Sequence, residues 1–190
     1  EHFIYLRDHV LHEGARKHGN KRLRIWSAGC SSGEEPYSIA MIVSEALPSM
    51  GFTDARILAT DLSTKVLALA RAGVYDASRV RDMDPKMRNK YFTRVGPRTE
   101  RRFEVTQGLR SLVCFARLNL MESWPMKGPF DAIFCRNVMI YFDRPTRERL
   151  IDRFFDLLEP GGTLFVGHSE SLAGIRHRFR YVQPTVYGRP

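Results

Sequence analysis

The chain has 190 residues, 43% of them hydrophobic, and its 30 Lys and Arg against 21 Asp and Glu give a formal net charge of +9. That length suits one α/β domain with a full core and is too short for two large ones. No apolar run approaches ~20 residues, so no membrane-spanning helix or stable membrane insertion is expected.

The opening Glu1-His-Phe-Ile-Tyr-Leu-Arg-Asp8 is charged, and no secretory signal is expected there. Cys30, Cys114 and Cys135 are well separated and odd in number. They suggest a reducing compartment, hence the cytoplasm, with no disulfide framework. Neither the cysteines nor the six histidines show metal-ligand spacing, so no metal site is expected. The positive charge steers acidic partners toward the protein, whether nucleic acid, anionic lipid or an acidic protein surface, without choosing among them.

Residues 1–19 read as a helix with Phe3, Leu6, Val10 and Leu11 on one face, stopped by Gly19-Asn20. Residues 23–28 form an apolar run that breaks at Gly29 and Gly33. A helix restarts at Pro36, where Ile39, Ile42, Val43, Ala46 and Leu47 repeat at helical spacing. Strand, glycine turn and helix present backbone N–H groups and a positive helix end to a ligand. A dinucleotide site usually carries one glycine more. Here Glu34 and Glu35 follow at once and would repel a pyrophosphate, whereas a ligand with an ammonium and a sulfonium suits them. S-adenosylmethionine (SAM) carries both. A plain strand-to-helix turn with capping carboxylates is the alternative.

A turn at residues 48–51 leads to a second strand over 55–61 that ends in Asp61. In nucleotide-binding α/β units an acid at this place, about 20–30 residues past the glycine turn, accepts hydrogen bonds from ribose hydroxyls. The alternative role for Asp61 is an N-cap, but Ser63 is the better cap of the helix that runs to Gly73. Asp84-Pro85 opens a further helix to about Phe92. Residues 93–112 break the rhythm and suggest a small antiparallel insert carrying Arg94, Arg98, Arg101, Arg102 and Arg110. Strands follow over 113–118, 130–135 and 163–166, with a helix over 146–158 that Pro160-Gly161-Gly162 ends. Residues 179–182 and 185–187 close the chain as an antiparallel pair. The pattern is that of an α/β, doubly wound, mostly parallel sheet. Gly29, Asp61, Asn119 and Arg136-Asn137 all fall at strand ends, where such a sheet binds its ligand.

Four segments now carry a resemblance. Ser27-Ala-Gly-Cys-Ser-Ser-Gly-Glu-Glu-Pro-Tyr-Ser38, Ala59-Thr-Asp61, Phe130-Asp-Ala-Ile-Phe-Cys-Arg-Asn-Val-Met-Ile-Tyr-Phe-Asp143 and Gly167-His-Ser-Glu-Ser171 together resemble the chemotaxis receptor methyltransferase family, CheR. The likeness runs from residue 1 to residue 190. It implies one SAM-dependent methyltransferase domain over 1–190, a seven-stranded sheet of the class I type, and an inserted β-subdomain at 93–112 that contacts receptors. It implies donor-binding roles for Ala28, Gly29, Gly33, Glu35, Asp61, Asn119, Leu120, Arg136, Asn137 and Val138. Of these, the turn cradles the donor, Glu35 holds its methionyl part, Asp61 its ribose and Asn119-Leu120 its adenine. Tyr141 and Arg136 are the implied catalytic residues. The reaction implied is transfer of a methyl group from SAM to glutamate carboxylates of methyl-accepting chemotaxis receptors, leaving S-adenosylhomocysteine. In full-length members a helical domain and a donor-contacting Arg lie just upstream of a segment like Glu1-His2-Phe3, so the sequence is expected to be part of a longer protein.

Alternatives remain for single residues: a turn role for Asn119, a surface ion pair for Arg136, a partly buried aromatic for Tyr141. Amino-group methylases of nucleic-acid bases carry Asn/Asp-Pro-Pro-aromatic at the slot occupied here by Arg136-Asn-Val-Met139. No nucleic-acid substrate is therefore expected. Gly167-His-Ser-Glu-Ser171 looks like a nucleophile elbow without its closing glycine, and His168 is expected to be a satisfied, buried histidine.

Overall fold

Two largely buried strands mark the centre of the molecule. In the computed structural model, which describes residues 1–17, 22–97 and 99–190, the strand Arg22–Ala28 (β1) buries Leu23, Ile25, Trp26, Ser27 and Ala28. Phe130–Cys135 (β7) is buried at every position. Runs without alternation belong to the middle of a sheet covered on both sides. β1 pairs in parallel with β7 and with Asp54–Asp61 (β2). Val113–Arg117 (β6) and Leu158–Val166 (β8) extend the parallel part outward. Val186–Gly188 (β10) and Arg180–Gln183 (β9) add an antiparallel edge, giving the order β6-β2-β1-β7-β8-β10-β9. This is the expected seven-stranded, doubly wound sheet.

Successive side chains of a strand point to opposite faces. Leu23, Ile25, Ala132 and Phe134 therefore join one core layer and Trp26, Ala28, Ile133 and Cys135 the other. The first layer is closed by three helical segments. His2–Tyr5 (α1) and Leu11–Lys17 (α2) are joined by a π turn at Leu6–Val10, and Glu34–Met50 (α3) packs beside them. The expected stop at Gly19-Asn20 lies outside the described residues. The second layer is closed by Arg144–Leu157 (α7), whose N-cap Asp143 accepts from the Thr146 N–H at 3.0 Å. At its heart the Trp26 ring meets Trp124, Phe130 and Phe154 at centroid distances of 4.9, 5.7 and 5.3 Å, and its indole N–H donates to Thr60 Oγ1 at 2.9 Å. Truncating such a residue to alanine costs roughly 3–5 kcal/mol.

Thr64–Ala72 (α4) starts at the expected cap, with Ser63 Oγ accepting from Val66 N, and stops at Gly73 with φ +62°. Asp84 caps Pro85–Tyr91 (α5) in the same manner. α3 begins at Glu34, ahead of Pro36, and runs through Pro48 to Gly51. A proline in the last turn removes only its own N–H bond, and the stop waits for the left-handed glycine.

Two expectations need correcting. The small antiparallel sheet is built from Val74–Asp76 (β3), Phe92–Val95 (β4) and Arg102–Val105 (β5), in the order β3-β5-β4. It thus draws on residues upstream of 93–112, while Gln107–Arg110 (α6) inside that span is helical. A three-residue strand that buries only Tyr75 has too little alternation to be read. Second, Pro160-Gly161-Gly162 does not merely end a helix. It lies inside β8, where the pairing with β7 shifts register between Phe130 and Ala132.

Candidate functional site

The carboxyl ends of β1, β2, β6 and β7 open on one edge, and three turns leave from them. The first follows β1. Gly29 and Gly33 have φ of +79° and +96°, and Ser31 also lies at positive φ. Gly29 N–H and Cys30 N–H both donate to Thr60 O, at 2.8 and 2.9 Å, which ties the turn to the end of β2. Asp61 completes the tie. Its Oδ2 accepts from Ser31 N at 2.9 Å and its Oδ1 from Ser63 N at 2.9 Å. Asp61 thus orders the turn and the entry to α4, and it also lines the cleft beside them.

The second turn follows β6. Asn119 Oδ1 accepts from Met121 N at 3.0 Å, and its Nδ2 donates to Glu122 Oε1 at 3.0 Å. Arg153 of α7 supports this turn from behind, donating to Leu120 O at 2.7 Å and Glu122 O at 2.6 Å while its guanidinium lies 3.6 Å from the Trp124 ring centroid.

The third turn follows β7 and carries residues 136–141. Arg136 Nη1 lies 3.1 Å from Glu35 Oε2, and Glu35 Oε1 accepts from Ser27 Oγ at 2.8 Å. Burial raises the Glu35 carboxyl above its ordinary value, and the bonds from Ser27 and Arg136 pull it back. Arg136 Nε is buried with no partner. Asn137 has φ +59°. Val138 reaches toward the first turn, so that a Cβ on Gly29 would lie 2.3 Å from Val138 Cγ2. Beneath the turn sits Glu170, buried, whose carboxylate accepts from the N–H groups of Asn137, Val138, Met139, Ile140 and Gly167.

The three turns enclose a cleft of about 420 Å³, lined among others by Gly29, Asp61, Asn119, Leu120, Asn137, Val138 and Tyr141. That volume is in the range of ligand pockets, about 300–1,000 Å³. Seven of the residues singled out from the sequence therefore meet on one surface. Ala28 is buried in the core and Gly33 packs against Ala70 and Tyr75, so neither lines the cleft. Glu35 and Arg136 lie outside its lining and pair with each other. Tyr141 is 80% exposed, which removes the buried-aromatic alternative. His168 is exposed as well, contrary to expectation, and stacks on the buried His2 at 5.8 Å. Burial, then the charge of Arg136 and the His168 ring, push the His2 pKa down to about 4.

Sequence reasoning missed Glu170, Arg153 and the exposed apolar side chains of Leu62 and Met121 that join Tyr141 at the cleft. Glu170 stood inside a quoted motif, yet nothing in the spacing of Gly167-His-Ser-Glu-Ser171 says that its acid turns inward. Cys30, close to Asp61, is buried, and its thiol pKa is pushed up to about 12, so it stays protonated. In the small sheet Arg110 pairs with Glu104 at 2.9 Å, Arg102 faces Asp76 and Glu100, and Arg98 is outside the described residues.

The cleft suits a nucleoside carrying a cationic chain. It offers apolar walls and an acid at the end of β2. The family described as CheR methyltransferase, SAM binding domain, matches residues 1–187. The chain belongs to the CheR methyltransferase family. Its cofactor is SAM, and the matched part is the family's SAM-binding domain. A probable chemotaxis protein methyltransferase of Rhizobium etli is 47% identical over 188 residues, covering 98% of this chain and 70% of that protein. The chemotaxis protein methyltransferase of Escherichia coli K12 is 44% identical over 190 residues, covering 98% and 63%. The chain thus spans about two thirds of the length of these CheR relatives. Among solved structures, PKMT2 from Rickettsia typhi matches with a TM-score of 0.50 at 16% identity, over 85% of this chain and 24% of that one, a likeness of fold alone. No helix among the described residues is long and apolar enough to cross a membrane.

Proposed function

We propose that the protein transfers the methyl group of SAM to side-chain carboxylates of glutamates in chemotaxis receptors, giving methyl esters and S-adenosylhomocysteine. The shared name of the relatives, chemotaxis protein methyltransferase, supports the setting. The observation that carries the ester chemistry is the make-up of the cleft. Among the described residues that line it, only Asp61 and Tyr141 titrate, and both Asp61 oxygens hold backbone N–H groups. An ammonium or hydroxyl acceptor has to give its proton to a positioned base. A glutamate, with a free pKa of about 4.3, is already ionised at neutral pH and needs none.

Bound SAM supplies a methyl carbon on a sulfonium, which leaves as a neutral sulfide when a carboxylate oxygen bonds to that carbon. The protein's share is alignment and exclusion of water. Gly29 and Val138, packed on each other, form one wall against the donor. Asp61 accepts from the ribose hydroxyls with lone pairs left over from Ser31 and Ser63. Leu120, beside Asn119, packs on the adenine. The family resemblance assigns the methionyl end of the donor to Glu35 and Arg136, which stand paired with each other beside the cleft, Arg136 keeping a buried, unpartnered Nε–H. Tyr141 stands exposed at the mouth, where its hydroxyl can orient the incoming carboxylate. The arginines of the small sheet form part of the receptor contact, with Arg102 and Arg110 already facing acids of their own. The three free thiols support a cytoplasmic setting.

The test is a methyl-donor labelling assay with the full-length protein and receptor-containing membranes. Base-labile label in the receptor, lost when the acceptor glutamates are changed to alanine, is the expected result. Label in RNA or DNA instead, or donor binding without any ester, would refute the proposal.

A further inference from the structure

We propose that Glu170 is the positioning residue of this site, its carboxylate fixing the turn of residues 136–141 in the shape that meets the donor. The inference rests on the reading of the cleft as the donor site. Glu170 is 3% exposed, just beyond the end of β8. Its Oε2 accepts from Asn137 N at 2.6 Å and Gly167 N at 2.7 Å. Its Oε1 accepts from Met139 N at 2.6 Å, Val138 N at 2.7 Å and Ile140 N at 3.3 Å. Four consecutive backbone N–H groups converging on one point form a concavity that binds anions. Here the anion is built into the chain.

The turn's own backbone bonds, Tyr141 N to Val138 O at 3.3 Å and Phe142 N to Met139 O at 3.1 Å, leave the N–H groups of residues 137–140 to Glu170. Asn137 sits at φ +59°, a region that residues other than glycine seldom occupy. Without the carboxylate these donors would lose their acceptor, and those of Met139 and Gly167, in buried surroundings, could not turn to water instead. Gly167 makes the room: a Cβ there would lie 2.3 Å from Glu170 Oε2 and 3.0 Å from Asn137 N. Asn137, Val138 and Tyr141, all on this turn, line the cleft. Glu170 does not itself line the cleft and acts through them.

Glutamine at 170 keeps the shape but turns an N–H donor toward Asn137 N and Gly167 N. Measured in the full-length protein, Glu170→Gln is expected to lower kcat for receptor methylation at least 100-fold, with the receptor KM within threefold. S-adenosylhomocysteine affinity by calorimetry should fall about tenfold. Val43→Ala, in the opposite core layer, serves as the control for a similar loss of melting temperature and should keep both. Glu170→Ala should regain turnover in acetate but not in equal chloride, as the anion refills the ring. Wild-type amides 137–140 and 167 should exchange with solvent at least 1,000-fold more slowly than in free peptide, a measurement that needs no variant to fold. Wild-type turnover in Glu170→Gln, a loss no larger than in Val43→Ala, or fast exchange at these amides would overturn the proposal. Failure of the wild type itself to bind S-adenosylhomocysteine would instead refute the donor site.

Discussion

The closeness of Gly29 to Val138 makes a quantitative prediction. Alanine at 29 suffers twice. At φ +79° an L-residue is disfavoured by about 1–2 kcal/mol. Its Cβ would also stand 2.3 Å from Val138 Cγ2, an overlap that neighbours relieve only by shifting, at roughly 1–3 kcal/mol. Gly29→Ala should therefore cost about 2–5 kcal/mol and lower the melting temperature by roughly 6–12 °C for a mid-range 3 kcal/mol. Val138→Ala removes the offending methyl and leaves a Cβ that would be 3.7 Å away, an ordinary contact. Alone it should cost about 1 kcal/mol or somewhat more, the worth of its lost methyl burial. The double variant keeps the dihedral penalty but loses the overlap, so the two changes should couple favourably by about 1–3 kcal/mol. Urea unfolding of all four proteins measures the cycle, and calorimetry with S-adenosylhomocysteine reports whether the cleft recovers with the fold. Additivity within ~0.5 kcal/mol would show that the turns after β1 and β7 do not meet, and the reasoning that builds the cleft from them would fail.

Four further outcomes are expected. Asp61→Ala removes the acceptor for two backbone N–H groups and for the ribose, so donor binding should weaken by ~1–3 kcal/mol; unchanged calorimetric affinity would end its ribose role. Tyr141→Phe should leave stability within about 0.5 kcal/mol, because the ring is exposed, and leave S-adenosylhomocysteine affinity intact while slowing methyl transfer; equal turnover would remove it from the reaction. Arg153→Ala releases the carbonyls of Leu120 and Glu122 and should cost about 1–3 kcal/mol in stability together with donor affinity, against no change in affinity if the second turn holds without it. His2 has a folded pKa of about 4 against 6.5. The unfolded chain therefore takes up a proton first as pH falls, and stability is complete above 6.5 and lost between 6.5 and about 4, by at most about 3 kcal/mol. His2→Gln should flatten that stretch of the melting-temperature profile, and an unaltered slope would place its source elsewhere.

The sheet was readable because its strands are apolar runs and its helices announce their ends. Ser63, Asp84 and Gly73 did in the fold what their residue types imply. Gly29, Asp61 and Asn119 were locatable for a related reason, since each stands at the last residue of a strand or just past it and topology brings such ends together. Three kinds of feature stayed hidden. β3 is too short for a period to show. The inward turn of Glu170 depends on the register of β8 and on a glycine making room. Arg153 looks like another cation on an amphipathic helix, and only packing reveals that it reaches two carbonyls across Trp124. The resemblance carried Glu35 and Arg136 into the donor site, where the geometry pairs them with each other at the edge.

Each of the three turns is held by a side chain that accepts from backbone N–H: Asp61 from two, Asn119 from one, Glu170 from five. The donor side of the cleft is thus shaped before anything binds, and a ligand there loses little to ordering the protein. The acceptor side is built on the opposite plan. Leu62, Met121 and Tyr141 stand exposed around the mouth. Apolar side chains grouped this way gain by being covered. A rigid donor pocket under an apolar mouth assigns the two substrates different tasks. Under the proposed function, fixed polar groups recognise the donor, while the arriving polypeptide completes the enclosure and keeps water from the methyl carbon at the moment of transfer.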